Sequence, residues 1–283
     1  MQILNLTNVE KSDIKFSISK FPDGEVQITL GEFSRKDHVV VNCRITNAEE
    51  LFILMQVADI LNRHGVIWSL NIYYLMGMRM DRVMDFNRPF TLKIIQDILS
   101  GFGISRIGIF EPHSGRCSEP RDIFSFVDPI SQGGEEMCQF CPSFNDVQEK
   151  YQIVLPDKGA VGREFPYNNV PDNIIIAEKV RDIATGRIES IKITNPEKFD
   201  KTKPVLVVDD LCDGGGTFVG IAAEIRKYTD QELNIFVTHM VNPRGIENLS
   251  KNFDHVWFTN SYKDWKEVLG ESFPKNITQI SVI

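Results

Sequence analysis

The sequence predicts an α/β fold laid out as two tandem domains, each a mainly parallel sheet flanked by helices. Three observations carry that prediction. Short apolar runs alternate with amphipathic segments along most of the chain, the pattern of parallel strands with helices on both faces. The alternation breaks between Ser114 and Glu149, a polar stretch rich in Gly, Pro and Cys, and then resumes. At 283 residues the chain is long enough for two ordinary domains. The boundary is expected near residue 135, giving an N-terminal domain over 1–135 and a C-terminal domain over 136–283.

The elements follow in order. Val39 to Ile45 reads as a buried strand. Asn47 caps the next helix, with Glu50 three residues on as in a capping box. Leu51, Leu54, Met55, Ala58 and Leu61 then recur at helical spacing and define one buried face. Asn71 to Leu75 is a strand, Phe90 to Gly103 a helix ending in glycine, and Arg106 to Phe110 a strand. Beyond the break, strands are expected at Tyr151–Pro156, Asn173–Lys179, Pro204–Asp210 and Asn234–Met240, with a helix from Thr217 to about Tyr228.

Composition narrows the function. The chain is 42% hydrophobic and 25% charged, average for a globular protein, so a sizeable core is affordable. A formal net charge of -8 argues against non-specific nucleic-acid binding. A phosphate-handling protein this acidic must concentrate its Lys and Arg locally or use metal ions. Five scattered cysteines (Cys43, Cys117, Cys138, Cys141 and Cys212) argue against a disulfide framework and for a reducing compartment. Cys138 and Cys141 form a lone CxxC with no second ligand pair, so no zinc site is expected. The N-terminus lacks a signal pattern. The stretch free of Asp, Glu, Lys and Arg from His64 to Met78 falls short of the roughly 20 apolar residues of a spanning helix. A cytoplasmic protein without membrane or nucleic-acid partners is expected.

The chemistry concentrates in VLVVDDLCDGGGTF, Val205 to Phe218. A central strand ends in Asp209 and Asp210, and Asp213 follows. Gly214, Gly215 and Gly216 then make a turn that no side chain obstructs before Thr217 opens a helix. Backbone N–H groups at such a turn form an anion nest, and the carboxylates beside it suit sugar hydroxyls or a divalent ion. The chain has no GxxxxGK[ST] and no GxGxxG between a strand and a helix, so neither a P-loop nor a dinucleotide fingerprint is present.

This stretch resembles the phosphoribosyl-diphosphate-binding motif of the phosphoribosyltransferase fold, and both domains are therefore expected to be of that type. Two enzyme classes share the motif: transferases that consume the diphosphate and ribose-phosphate pyrophosphokinases that make it. Five further stretches resemble the second class, so that six ordered motifs span about residues 17 to 265. Phe21 to Glu25 (FPDGE) is similar to that family's adenine loop. The resemblance implies that Phe21 stacks on the base of ATP and that Asp23 and Glu25 meet its amino edge, on a neighbouring subunit of a homo-oligomer. Gly77 to Thr91 is similar to its Arg-x-Asp-Arg segment, which assigns Arg79, Met80 and Asp81 to ATP, with Met80 where a glutamine is usual. Phe110 to Gly115 (FEPHSG) implies that His113 holds the magnesium of ATP or its phosphates. Leu155 to Glu164 implies Asp157 as a magnesium ligand and Lys158 to Val161 as a backbone cradle. Lys179 and Arg181 stand at the Lys-x-Arg spacing of the catalytic flexible loop, and on an extended segment residues two apart share a face.

The resemblance implies an Mg2+-dependent enzyme that moves the β,γ-diphosphoryl group of ATP to the C1 hydroxyl of ribose 5-phosphate and releases AMP. In that reading Lys179 and Arg181 are catalytic. Asp209 and Asp210 orient the ribose 2- and 3-hydroxyls, directly or through a second magnesium. Asp213, Gly214, Gly215, Gly216 and Thr217 hold the 5-phosphate. One departure leaves the acceptor open. Gly214 replaces a threonine, which removes a hydroxyl donor and opens space, so a larger 5-substituted ribose such as ADP-ribose is the alternative acceptor. A phosphoribosyltransferase and a non-catalytic regulatory relative are the remaining alternatives. The sequence also lacks the family's terminal helix, so the oligomer size is left open and allosteric control is not expected.

Overall fold

A computed structural model describes residues 1–104, 106–118, 124–127, 147, 149–165, 170–181 and 188–283. The chain divides into two compact units, residues 1–128 and 129–282. The expected boundary near residue 135, Cys138 and Cys141 lie outside the described residues.

The first unit is built on a five-stranded sheet. Its strands are β1 (Gln2–Asn5), β4 (Val39–Ile45), β5 (Trp68–Leu75), β6 (Ile107–Phe110) and β7 (Phe124–Val127), adjacent in that order and all parallel. An antiparallel hairpin of β2 (Phe16–Lys20) and β3 (Val26–Leu30) forms a separate small sheet. Among the described residues two α-helices belong to this unit: α1 (Ala48–Arg63) and α2 (Thr91–Ser100). β4 buries Val39, Val41, Cys43 and Ile45 in alternation, which is why its sequence reads clearly as a strand. At the start of α1, Asn47 Oδ1 accepts the Glu50 N–H at 3.0 Å. Glu50 turns back to the N–H and hydroxyl of Thr46, one residue before the expected partner, so the capping box is displaced by one. Met55 is exposed, and α1 buries Ile53 and Val57 instead, along with Leu51, Leu54, Ala58 and Leu61. The expected apolar face is thus rotated slightly about the helix. The hairpin is tied to α1 through Gln56, which receives the Ile28 N–H and donates to the Val26 carbonyl.

The second unit carries a seven-stranded sheet in the order β10 (Ile188–Ile193), β9 (Ile175–Arg181), β8 (Gln152–Leu155), β11 (Val205–Cys212), β12 (Leu233–Met240), β13 (His255–Thr259) and β14 (Ile277–Ile280). Only the β9–β10 pair is antiparallel. Its helices whose ends lie among the described residues are α3 (Lys158–Glu164), α4 (Gly216–Ile225), α5 (Pro243–Asn252) and α6 (Trp265–Leu269). Phe218, Ile221 and Ile225 of α4 and Ile246 and Leu249 of α5 join Val205, Val207, Ile235, Val237 and Phe258 in one buried cluster. Each such side chain contributes roughly 1.5–3 kcal/mol on burial. Parallel register sends the carboxyl ends of β8, β9, β11 and β12 to one side of the sheet, where ligands bind in this architecture. Among the described residues no helix is long and apolar enough to cross a membrane.

Candidate functional site

The carboxyl end of β11 is the centre of the second unit's site. The strand runs to Cys212, two residues beyond the expected end at Asp210, so Asp209 and Asp210 lie inside it rather than at its end. Neither carboxylate is solvated: Asp210 is buried, and Asp209 accepts the Asp210 N–H at 3.0 Å. Arg163, from the last turn of α3, reaches both acids. It pairs with Asp209 Oδ1 and lies 2.8 Å from Asp210 Oδ1. Burial, and then the Asp210 charge, push the Asp209 carboxyl well above its usual range, and Arg163 opposes that rise. Two adjacent carboxylates share one guanidinium, so an excess negative charge is present at the strand end when Asp209 is ionised.

Asp157, at the end of β8, does two jobs. Its Oδ1 accepts the Ala160 N–H at 3.0 Å and caps α3, and its Oδ2 meets Lys179 Nζ at 2.8 Å. Burial works against its ionisation. The Lys179 ammonium, the Ala160 N–H and the Arg163 charge outweigh that penalty and hold its pKa below the ordinary value. Lys179 sits within β9, on a regular strand paired to β10. Arg181 closes the same strand, but its side chain lies outside the described residues, as do residues 182–187. Lys158 pairs with Glu178 of β9 at 2.7 Å and is otherwise exposed. Lys158 to Val161 forms the first turn of α3.

The glycine turn follows. Gly215 stands at φ +77°, a conformation that favours glycine, and ends at the first turn of α4. A Cβ added at Gly214 would meet nothing within 4 Å, so the expected open space at that position is present. The first N–H groups of a helix have no intrahelical acceptor, and those of α4 face the same turn.

In the first unit, the turn from Gly77 to Asp81 and the loop after β6 come together. Asp81 is buried and pairs with Arg82 at 2.8 Å, and its carbonyl accepts from Arg116 at 3.4 Å. Its pKa is lowered, first by the Arg82 hydrogen bond, with help from Ser114 and the His113 charge. Met80 is half-exposed and takes the Thr91 hydroxyl on its sulfur at 3.4 Å. Arg79 lies on the same turn and His113 on the loop after β6. Glu111, just before Pro112, has φ +41°, a strained conformation for a non-glycine residue that precedes proline. Phe21, Asp23 and Glu25 form the tip of the β2–β3 hairpin. The Phe21 N–H bonds the Glu25 carbonyl at 2.8 Å, Asp23 accepts the Glu25 N–H at 3.1 Å, and the Phe21 ring is half-exposed.

Asp157, Asp209 and Asp210 are oxygen donors of the kind magnesium takes, and Asp157 and Asp209 lie within electrostatic reach of each other. Among the described residues no three His, Cys, Asp or Glu side chains form a metal cluster on their own. Sequence reasoning missed Arg163 as the partner of the acidic pair, although Arg163 closes the block that includes Asp157. It also missed Asn242 and Asn248 of the α5 region, which hydrogen-bond the glycine turn. The Asn242–Pro243 pair, a helix cap followed by proline at the first helical position, was the available signal.

No family model matches the chain. Ribose-phosphate pyrophosphokinases of Pyrococcus abyssi and Pyrococcus furiosus are each 26% identical to it, over 283 and 282 residues. They cover 99% and 98% of this chain, which spans 89% and 90% of theirs. The Vibrio cholerae ribose-phosphate pyrophosphokinase is 26% identical over 274 residues, 94% of this chain and 85% of its own length. Among solved structures, the phosphoribosylpyrophosphate synthetase of Mycobacterium smegmatis matches with a TM-score of 0.74 over 100% of this chain and 95% of that one, at 15% identity. The family resemblance read from the motifs and the α/β fold are both borne out.

Proposed function

We propose that the chain, a divergent relative of the ribose-phosphate pyrophosphokinases, is an ATP pyrophosphokinase. It transfers the β,γ-diphosphoryl group of ATP to the anomeric hydroxyl of a ribose 5-phosphate acceptor. The observation that carries this reading is Lys179 on Asp157, in the same electrostatic cluster as the acidic pair beside the glycine turn. A phosphoribosyltransferase needs the turn but not that cation. A non-catalytic relative would be expected to have lost it.

The acceptor's 5-phosphate lies at the turn of Asp213 to Thr217, against its backbone N–H groups other than that of Gly215, which bonds Cys212. Asp209 and Asp210, held by Arg163, receive the ribose hydroxyls. The C1 oxygen forms a bond to the β-phosphorus as the bond from that phosphorus to the AMP oxygen breaks, and the hydroxyl proton is lost to solvent. Such transfers depend on positioning and charge neutralisation more than on covalent help. Lys179, and Arg181 with it, meets the charge that builds on the transferred group. Asp157, Asp209 and Asp210, and His113 in the first unit, are the groups that would hold Mg2+, which supplies further neutralisation of phosphate oxygens. Arg79, Met80, Asp81 and His113, with the hairpin residues Phe21, Asp23 and Glu25 acting from a neighbouring subunit of a homo-oligomer, bind ATP.

The open space at Gly214 favours a second acceptor, ADP-ribose, which would become its 1-diphosphate. A phosphodiester at C5 presents fewer terminal oxygens than a monoester and needs more room. Phosphorus NMR of the protein with Mg-ATP, offered ribose 5-phosphate in one tube and ADP-ribose in another, tests both readings. AMP together with a new anomeric diphosphate identifies the acceptor. No AMP in either tube overturns the pyrophosphokinase reading.

A further inference from the structure

The glycine turn does not hold its own shape; it is pressed against α5. Asn248 Nδ2 donates to the Gly214 carbonyl at 2.7 Å, and Asn242 Nδ2 donates to Asp213 Oδ1 at 3.0 Å. Behind the turn, Gly245 leaves room that a side chain would fill. A Cβ there would run into the Asp213 carbonyl, 2.9 Å from Cys212 Sγ and 3.1 Å from Met240 Sδ. At Gly215 an added Cβ would lie 3.3 Å from the Asn248 Cβ and 3.4 Å from the Gly245 Cα. The turn and α5 are therefore in backbone-to-backbone contact, and Asn248 is the side chain that bonds across it.

We propose that Asn248 is a positioning residue for the acceptor phosphate, acting through the peptide that joins Gly214 to Gly215. In a trans peptide the C=O and the following N–H point in opposite directions. Asn248 holds the Gly214 carbonyl, and at the other end of the same peptide the Gly215 N–H bonds the buried Cys212 sulfur. Cys212 in turn donates to the Asp213 carbonyl at 3.4 Å. The peptide is fixed at both ends. Without Asn248, only the weak N–H···S contact would hold that peptide, and the flanking glycines offer little resistance to its rotation, because glycine visits positive and negative φ with equal ease. A fixed peptide keeps the N–H groups at the start of α4 facing one point, where an anion can be held without ordering the turn first. Losing that order weakens ground-state binding of the acceptor and leaves ATP untouched.

This inference rests on the proposed function, and one set of measurements separates the two. The full chain is labelled with [15N]glycine, and its glycine amides are followed as ribose 5-phosphate or ADP-ribose is added. Steady-state kinetics with Mg-ATP are run alongside. N248A keeps the Cβ on which Gly215 packs and removes the amide. N248D keeps the shape and sets an acceptor against the Gly214 carbonyl. Both should raise the acceptor KM about tenfold, the cost of one hydrogen bond, with the ATP KM unchanged and N248Q recovering part of the loss. A purely structural role would lower the fraction of folded enzyme and so kcat, without this split. Wild-type acceptor binding in both variants, or an equal rise in the ATP KM, overturns the inference while the function stands. If the wild-type glycine amides respond to neither acceptor, the proposed function fails and the positioning role falls with it.

Discussion

Replacing Arg163 by Met tests the charge balance on which the acidic pair depends. Arg163 is mostly buried, as are Asp209 and Asp210, and it is the cation that touches both. Removing one partner of a buried pair typically costs about 3–5 kcal/mol, because a desolvated charge is left without compensation. The protein can limit that cost by binding a proton. Asp209 already has a folded-state pKa above its unfolded value. For an acid shifted upward, the folded state binds more protons than the unfolded state between the two pKa values, so stability falls as pH rises through that window. R163M removes the Arg163 charge, which opposes the rise, and extends the window toward higher pH. Each additional proton retained on folding contributes a slope of about 1.4 kcal/mol per pH unit. R163M should therefore be destabilised by about 3–5 kcal/mol at pH 8, with the deficit shrinking as pH falls and the acid takes up its proton. The assay is urea unfolding in chelator at both pH values, followed by the fluorescence of Trp257 and Trp265, which lie in the second unit, with Trp68→Phe present in both proteins. A deficit under about 1 kcal/mol, or one that does not change with pH, would refute the argument.

Three further outcomes follow from the same geometry. Lys179→Ala should lower kcat by roughly a hundredfold or more while binding of a non-hydrolysable ATP analogue persists; an unchanged single-turnover rate would remove Lys179 from the chemistry. Gly245→Ala should lower the melting temperature of the second unit by several degrees, because overpacking against Asp213 and Cys212 costs about 1–3 kcal/mol and exceeds the roughly 1 kcal/mol gained in helix propensity. Calorimetry showing equal or higher stability would contradict the close contact of α5 with the turn. Gly214→Thr fits the space available and restores a hydroxyl donor, so the ratio of kcat/KM for ribose 5-phosphate over ADP-ribose should rise. A fall in that ratio would dissociate acceptor choice from position 214.

The fold was legible where side-chain periodicity was strong. β4, α1, β11 and β12 each bury a face or a whole run, and the apolar pattern follows directly from that burial. The β2–β3 hairpin was not read as strands. All but the first residue of β2 are exposed, so that strand has no buried alternation to display; β3 does alternate, burying Val26 and Ile28, but over five residues only, and the turn between the two was noticed only for its chemistry. The acidic pair and the glycine turn were visible because acids and three glycines at a strand end make poor core material. Their partners were not. Arg163 lies 46 residues before Asp209, and Asn248 lies 34 residues after Gly214. Neither belongs to a local pattern, and the pairing exists only because β8, β11 and β12 are neighbours in one sheet.

A chain of net charge -8 that is to hold phosphate must keep cations where the phosphate goes. The second unit does this with carboxylates that serve as cation holders. Asp157 fixes Lys179, and Asp209 with Asp210 fixes Arg163, so neither long side chain must be ordered when substrate arrives. Two carboxylates facing one guanidinium leave excess negative charge beside the nest whenever Asp209 is ionised, and that charge would repel a phosphate by itself. That excess is tolerable only if the ligand brings a positive charge or offers hydroxyl donors to the acids. A ribose phosphate presented with magnesium does both, whereas free phosphate does neither. The same geometry therefore predicts selectivity: phosphate alone should compete weakly with the acceptor, and competition should strengthen when magnesium is added. If phosphate competed equally with and without the metal, Arg163 would be neutralising the pair completely, and the electrostatic argument for a sugar-specific site would fail.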